Sequence, residues 1–304
     1  MVFNSILETL GDTPLVKLSR RINSTSANIY AKVEAFNPGG SAKDRVAIAM
    51  IDAAERDGSL KAGGTIIEPT SGNTGVGLAL ACAVKGYRMI LVMPDNMSVE
   101  RIKLAAAYGA EVVLTPAELG MKGSIAKAEE LKATIPGAII AGQFDNPANA
   151  AAHERSTGPE IWRDLDGKVD IFVAGVGTGG TLTGVGRYLK AKNPAVKIIA
   201  VEPDTSPLLS KGVAGAHKLQ GIGANFVPRV LDRELIDEVV TVSAEDAGKT
   251  ARALAAKEGI LCGISSGAAA YAALAIGSSS SSPLNIVVLL PDTGERYLST
   301  WLFD

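Results

Sequence analysis

Four stretches of this 304-residue chain concentrate residue types that can hold an anion or use an amine: NPGGSAKDR (37–45), EPTSGNTG (68–75), GVGTGGT (175–181) and GISSGAA (263–269). In the first, Gly39 and Gly40 predict an unusual turn, Ser41 can cap, and Lys43 falls in the first turn of a helix. The helix dipole disfavours a cation there, so the amine is more readily used neutral or as a Schiff base. A solvated lysine, with Asp44 and Arg45 dressing the helix surface, fits the same residues. In the second stretch Ser71, Asn73 and Thr74, held by Gly72 and Gly75, offer hydroxyls, an amide and backbone N–H groups to a carboxylate. An N-cap by Thr70, Ser71 or Thr74 also accounts for them. The third follows the apolar run IFVA and opens a helix; its glycines let amides approach an anion, and Thr178 and Thr181 add hydroxyls. A tight strand-to-helix connection fits as well. No lysine follows the glycines as in a Walker loop, and Glu202 followed by Pro203 suits a dinucleotide fingerprint poorly. In the fourth, Ser265 and Ser266 precede a small-residue helix, and capping explains one of the two.

The elements around these turns alternate short β-rich runs with helical stretches of about 10–15 residues, the rhythm of an α/β protein with a largely parallel sheet. TIIEPT from Thr65 leads to a helix ending near Gly86, RMILVMP from Arg88 to a helix opened by Ser98, and EVVLTP from Glu111 to MKGSIAKAEELKA. In that last helix Ile125, Ala128 and Leu131 are expected to share the core face, with Lys127 and Glu130 toward solvent. AIIA from Ala138 completes the block. After a helix over residues 151–162, a second block runs through KVDIFVAGV, GTLTGVGRYLKAK and KIIAVEP. Gly86, Gly109 and Gly137 stand just beyond helical patterns, as C-caps require. Periodicity fails from Ser206 to Arg229, a functional loop or interdomain surface. The serine tract ending at Pro283 reads as a linker before the last strand. Two such blocks imply a cleft, with ligands at the carboxyl ends of strands.

Thirty-two acidic and thirty basic residues leave a net charge of −2, so no global field attracts nucleic acid or an anionic membrane. The apolar runs fall far below the roughly 20 residues needed to span a bilayer, and the first residues carry no export pattern. Cys82 and Cys262 sit among alanines and glycines, which suits buried free thiols in a reducing compartment. No His/Cys/Asp cluster has metal-ligand spacing. His153 and His217 receive no role.

Taken together, NPGGSAKDR, EPTSGNTG, GQFDNPAN, GVGTGGT, QGIGANFVP, GISSGAA and the terminal PDTGERYLS resemble, in order along the chain, the cysteine synthases, or O-acetylserine sulfhydrylases. The resemblance implies two open α/β domains of the tryptophan-synthase-β-like (fold type II) architecture, with pyridoxal 5'-phosphate in the interdomain cleft. It implies a smaller mobile domain over 43–145 and a larger one, 1–42 plus 146–304, that binds the cofactor phosphate. Lys43 resembles the lysine joined to the cofactor and Asn73 the partner of its 3'-oxygen. Thr70, Ser71, Asn73, Thr74 and Gln143 resemble the receivers of the substrate carboxylate. Gly177, Thr178, Gly179, Gly180 and Thr181 resemble the phosphate cup, Ser266 the hydroxyl at the pyridine nitrogen, and Gly221 the lining of the substrate entrance. The implied reaction is replacement of acetate in O-acetyl-L-serine by sulfide, without a metal, in a cytoplasmic homodimer able to dock the C-terminal tail of serine acetyltransferase. Gly39–Gly40 stand where a small polar pair is usual and resemble cystathionine β-synthase instead, and Asn225 stands where Gly is usual. Homocysteine as nucleophile, O-phosphoserine as donor, or a role only as a binding partner are the alternatives.

Overall fold

The computed structural model describes residues 2–22, 24–70, 72–95, 99–280 and 282–304; the expected roles of Ser71 and Ser98 lie outside the described residues. Along the chain run β1 (Leu15–Lys17), β2 (Asn28–Val33), α1 (Lys43–Asp57), β3 (Thr65–Pro69), α2 (Asn73–Lys85), β4 (Arg88–Pro94), α3 (Val99–Ala107), β5 (Glu111–Thr115), α4 (Gly120–Thr134) and β6 (Ile139–Ile140). Then follow α5 (Ala148–Arg155), α6 (Thr157–Asp164), β7 (Ile171–Gly175), α7 (Gly180–Lys192), β8 (Lys197–Pro203), α8 (Leu208–Lys211), β9 (Glu238–Val242), α9 (Ala244–Glu258), α10 (Ile264–Ser279) and β10 (Asn285–Leu290). The chain forms two compact units, one of residues 1–10 and 37–149, the other of 11–36 and 150–304.

The first unit is built on a parallel sheet in the order β5-β4-β3-β6. Ile67, Ile90 and Val92 pack with Ala128 of α4 and Ala138. The α4 face differs from expectation. Ala128 is buried and Leu131 packs on this core, but Ile125 is 49% exposed, because the inward stripe runs through Ser124 instead. Lys127 and Glu130 do face solvent, as an ion pair at 2.6 Å. α1 lies so close to α2 that a Cβ on Gly77 would stand 2.9 Å from the Lys43 carbonyl oxygen.

The second unit carries a six-stranded sheet, β1-β2-β10-β7-β8-β9, parallel except for the β1/β2 pair. Alternate residues face opposite layers. Ile171, Val173, Ile286 and Val288 pack against α9 and α10, whereas Phe172, Ala174, Val287 and Leu289 pack against α6 and α7. A sheet covered on both faces explains strands that read as continuous apolar runs. The helix expected over 151–162 is two helices that meet at Ser156 (φ −128°, ψ −70°). Pro159 has no N–H for an interior turn, so the helix restarts and places the proline in its first turn. The serine tract is a shorter linker than expected, since Ser278 and Ser279 belong to α10 and bond back to the Leu274 and Ile276 carbonyls.

Candidate active site

In the first unit, Lys43 is the first residue of α1, half-buried, and its backbone N–H donates to Ser41 Oγ at 3.2 Å. Asp44 and Arg45 do not dress the surface: both are buried. Asp44 Oδ2 accepts from Gly39 N (2.8 Å) and Ser41 N (3.4 Å), and a Cβ on Gly39 would meet Asp44 Oδ1 at 2.6 Å. The double glycine thus lets the turn wrap a carboxylate, and that wrapped turn sets where Lys43 starts its helix. Gly40, at φ +80°, supplies the left-handed step.

The start of α2 lies at the end of β3. Thr70 Oγ1 accepts from Gly72 N at 3.2 Å, and the helix has no side-chain cap at Gly72. Asn73 is half-buried and Thr74 buried. Gln143, the motif residue farthest away in sequence, is brought to this turn: Thr74 Oγ1 donates to its Oε1 at 2.5 Å. Behind both lies Glu68, buried, accepting from Gly142 N (2.8 Å) and Gln143 N (3.3 Å). Burial pushes its carboxyl up to about 7, against the pull of the two amides.

In the second unit, the glycine-threonine turn links β7 to α7. Gly179 is left-handed (φ +81°) and α7 has no side-chain cap. A Cβ on Gly179 would meet Leu231 Cβ at 2.6 Å, and one on Gly177 would strike the Gly221 carbonyl oxygen. The turn therefore has no room for a side chain at Gly177 or Gly179, which lets its backbone approach an anion closely. Thr178 is buried, with its Oγ1 accepting from Gly180 N at 3.4 Å. Thr181 Oγ1 lies 3.1 Å from Nε2 of the buried His153, whose Nδ1 meets Thr157 Oγ1 at 2.9 Å. Gly221 is exposed and stands beside Ser265. Ser266 is fully buried and its Oγ has no oxygen or nitrogen partner. Nearby Cys262 is a buried free thiol, pushed up to about 12 by desolvation and Asp292, with Ser266 opposing in part. Asn225 is left-handed (φ +63°), a conformation that asparagine tolerates and glycine fills freely. Ser206 Oγ donates to its Oδ1 at 2.7 Å.

The fold and these two sets of residues define a class. Residues 6–292 match the family described as "Pyridoxal-phosphate dependent enzyme", and the chain belongs to that family, in its fold type II architecture. Within it, the chain is 52% identical over 302 residues to a cysteine synthase of Staphylococcus aureus, covering 99% of this chain and 97% of that one. Among solved structures it is similar to an O-ureido-L-serine synthase (TM-score 0.97, 49% identity, 100% and 96% coverage). It is similar also to the cysteine synthase of Entamoeba histolytica (TM-score 0.96, 45% identity, 100% and 91% coverage). Two observations fit pyridoxal phosphate to this chain: the uncapped glycine turn at α7, and the buried hydroxyl of Ser266, which has no oxygen or nitrogen partner.

Sequence reasoning missed four residues around these turns, two in each unit. Asp44, Glu68 and His153 show themselves by burial, which no local pattern encodes. The fourth, Asp292, accepts from Tyr297 OH at 2.6 Å, and its carbonyl accepts from Gly263 N, which anchors the start of α10 ahead of Ser266. The PDTGERY motif was a signal that something was held there, without saying what.

Proposed function

We propose that this enzyme makes L-cysteine from O-acetyl-L-serine and sulfide, releasing acetate, with Lys43 as its catalytic residue. The full-length match at 52% identity to a cysteine synthase carries the reading. Bound pyridoxal phosphate supplies an aldehyde carbon for the amino group and a ring that draws electrons from the substrate Cα. Lys43 would hold that carbon until the substrate amino group displaces it, and its freed amine would then take the Cα proton and later return it. Gly177, Thr178, Gly179, Gly180 and Thr181 receive the phosphate, and Asn73 meets the 3'-oxygen. Thr70, Ser71, Asn73, Thr74 and Gln143 receive the substrate carboxylate, and Gly221 lines its approach. Because Gln143 Oε1 is occupied by Thr74, its Nε2 hydrogens face the anion. Ser266 offers the ring nitrogen a hydroxyl in place of a carboxylate, which limits charge delocalisation and favours elimination at Cβ. No helix among the described residues is long and apolar enough to cross a membrane. Work as a cytoplasmic homodimer that docks the C-terminal tail of serine acetyltransferase belongs to the same reading.

A second reading keeps the β-replacement and changes the nucleophile; the likeness to O-ureido-L-serine synthase favours it. The test offers purified enzyme O-acetyl-L-serine with sulfide, homocysteine or hydroxyurea in parallel. Sulfide should give the fastest turnover, and Lys43→Ala should abolish it together with cofactor colour retained after dialysis. A faster reaction with either competitor gives the second reading precedence, and an active, coloured Lys43→Ala removes both.

A further inference from the structure

The β3/β6 ladder is two residues long, pairing Ile66 with Ile139 and Ile67 with Ile140. It ends because Gly142, at φ +71°, turns the chain out of the strand. Ala141 N still reaches the Ile67 carbonyl at 3.3 Å. Beyond that point a side chain takes over: both oxygens of the Glu68 carboxylate receive the next two amides, Gly142 N and Gln143 N. The same turn is held from its far side, where Asn149 Nδ2 donates to the Gln143 carbonyl at 2.7 Å and Asn146 Nδ2 to the Ala141 carbonyl at 2.9 Å. A carboxylate is an unusual choice so close to residues that receive an anion, since it adds a like charge. Its two oxygens, however, can accept from adjacent N–H groups at once, which no neutral side chain of that length does.

We propose that Glu68 is the positioning residue for Gln143: its carboxylate extends the sheet by one side chain and fixes the backbone from which the Gln143 amide reaches the amino-acid substrate. The inference rests on the reading of Gln143 as a receiver of the substrate carboxylate. Glu68 itself touches neither substrate nor cofactor.

In Glu68→Gln the side chain keeps its volume, but one acceptor becomes an NH₂ that faces an N–H, so one charge-assisted bond is lost. In the holoenzyme at about pH 8, where the Glu68 carboxyl is ionised, KM for O-acetyl-L-serine should rise about tenfold while kcat stays within about twofold, the pattern of lost substrate positioning. Hydrogen exchange at the Gly142 and Gln143 amides should accelerate, with cofactor content unchanged. Gln143→Ala should raise KM at least as much, and Glu68→Gln added to it should raise KM no further. An unchanged KM in Glu68→Gln beside a raised KM in Gln143→Ala overturns the positioning role. An unchanged KM in Gln143→Ala removes the reading of Gln143 and the proposal with it, while faster exchange in Glu68→Gln would still report the lost bonds. Loss of cofactor or of the fold in Glu68→Gln overturns the proposal in favour of a purely structural role.

Discussion

Replacing Gly179 by alanine puts the proposed phosphate turn under a load that can be worked out from the structure. Two costs add. The residue is left-handed at φ +81°, which a Cβ penalises by about 1–2 kcal/mol. The new methyl would also stand 2.6 Å from Leu231 Cβ and 3.0 Å from Leu231 Cα, where ordinary contact begins at 3.4 Å. Leu231 cannot retreat as a flexible side chain would: its N–H bonds to the Pro228 carbonyl, and the next amide, Asp232 N, donates to Thr183 Oγ1 in α7 itself. Overpacking of this kind costs about 1–3 kcal/mol. The empty turn can relieve both costs by leaving its binding shape, so they fall on cofactor affinity: about 2–5 kcal/mol, or roughly thirtyfold to several thousandfold in Kd. Equilibrium dialysis against pyridoxal phosphate, read by absorbance, measures it. Gly86→Ala is the control, left-handed at φ +76° with nothing within 4 Å of a new Cβ, and it should lose about 1–2 kcal/mol of stability while binding cofactor as the parent does. Parent-like affinity in Gly179→Ala would refute the placement of the phosphate at this turn.

The buried Lys32 offers a second test: its Nζ lies 2.7 Å from Glu160 Oε2 and donates to the Thr13 carbonyl at 2.6 Å. Lys32→Met should cost about 3–5 kcal/mol by stranding the carboxylate, and Lys32→Met with Glu160→Gln should recover more than half of it. Urea unfolding followed by the fluorescence of Trp162 and Trp301 reads the larger unit, and equal losses in the two variants would rule the pairing out. Cys82 and Cys262 are buried free thiols, both pushed up to about 12 by desolvation, so neither should react with a thiol reagent until the chain unfolds. Labelling of the native protein at the rate of an exposed cysteine would contradict their burial. For Glu68, a carboxyl at about 7 against 4.5 in the unfolded chain means that the native state binds the proton more tightly between those values. Stability therefore falls as pH rises through that window, by at most about 1.4 kcal/mol per pH unit, and Glu68→Gln should flatten this slope. An identical slope in the two proteins would count against the shift.

Local chemistry was written in the sequence because it is local. Glycines beside hydroxyls at strand-to-helix turns leave room for a close approach to the backbone whatever packs around them, and Lys43 in a first helical turn is odd before any contact is known. The same holds for Gly86, whose place after an apolar helical run requires the left-handed cap that the structure has. Tertiary structure alone decided which distant segments meet. No local pattern names a partner for β2, and its pairing with β10, which sets Asn28 against Asn285, joins the two ends of the chain. Asp44 and Glu68 look like surface charges until the turns that wrap them are seen, and Ile125 looks like core until Ser124 takes the inward position. The division has one cause: backbone conformation and helix dipoles act over a few residues, whereas burial and strand pairing depend on groups hundreds of residues apart that come together only in the folded chain.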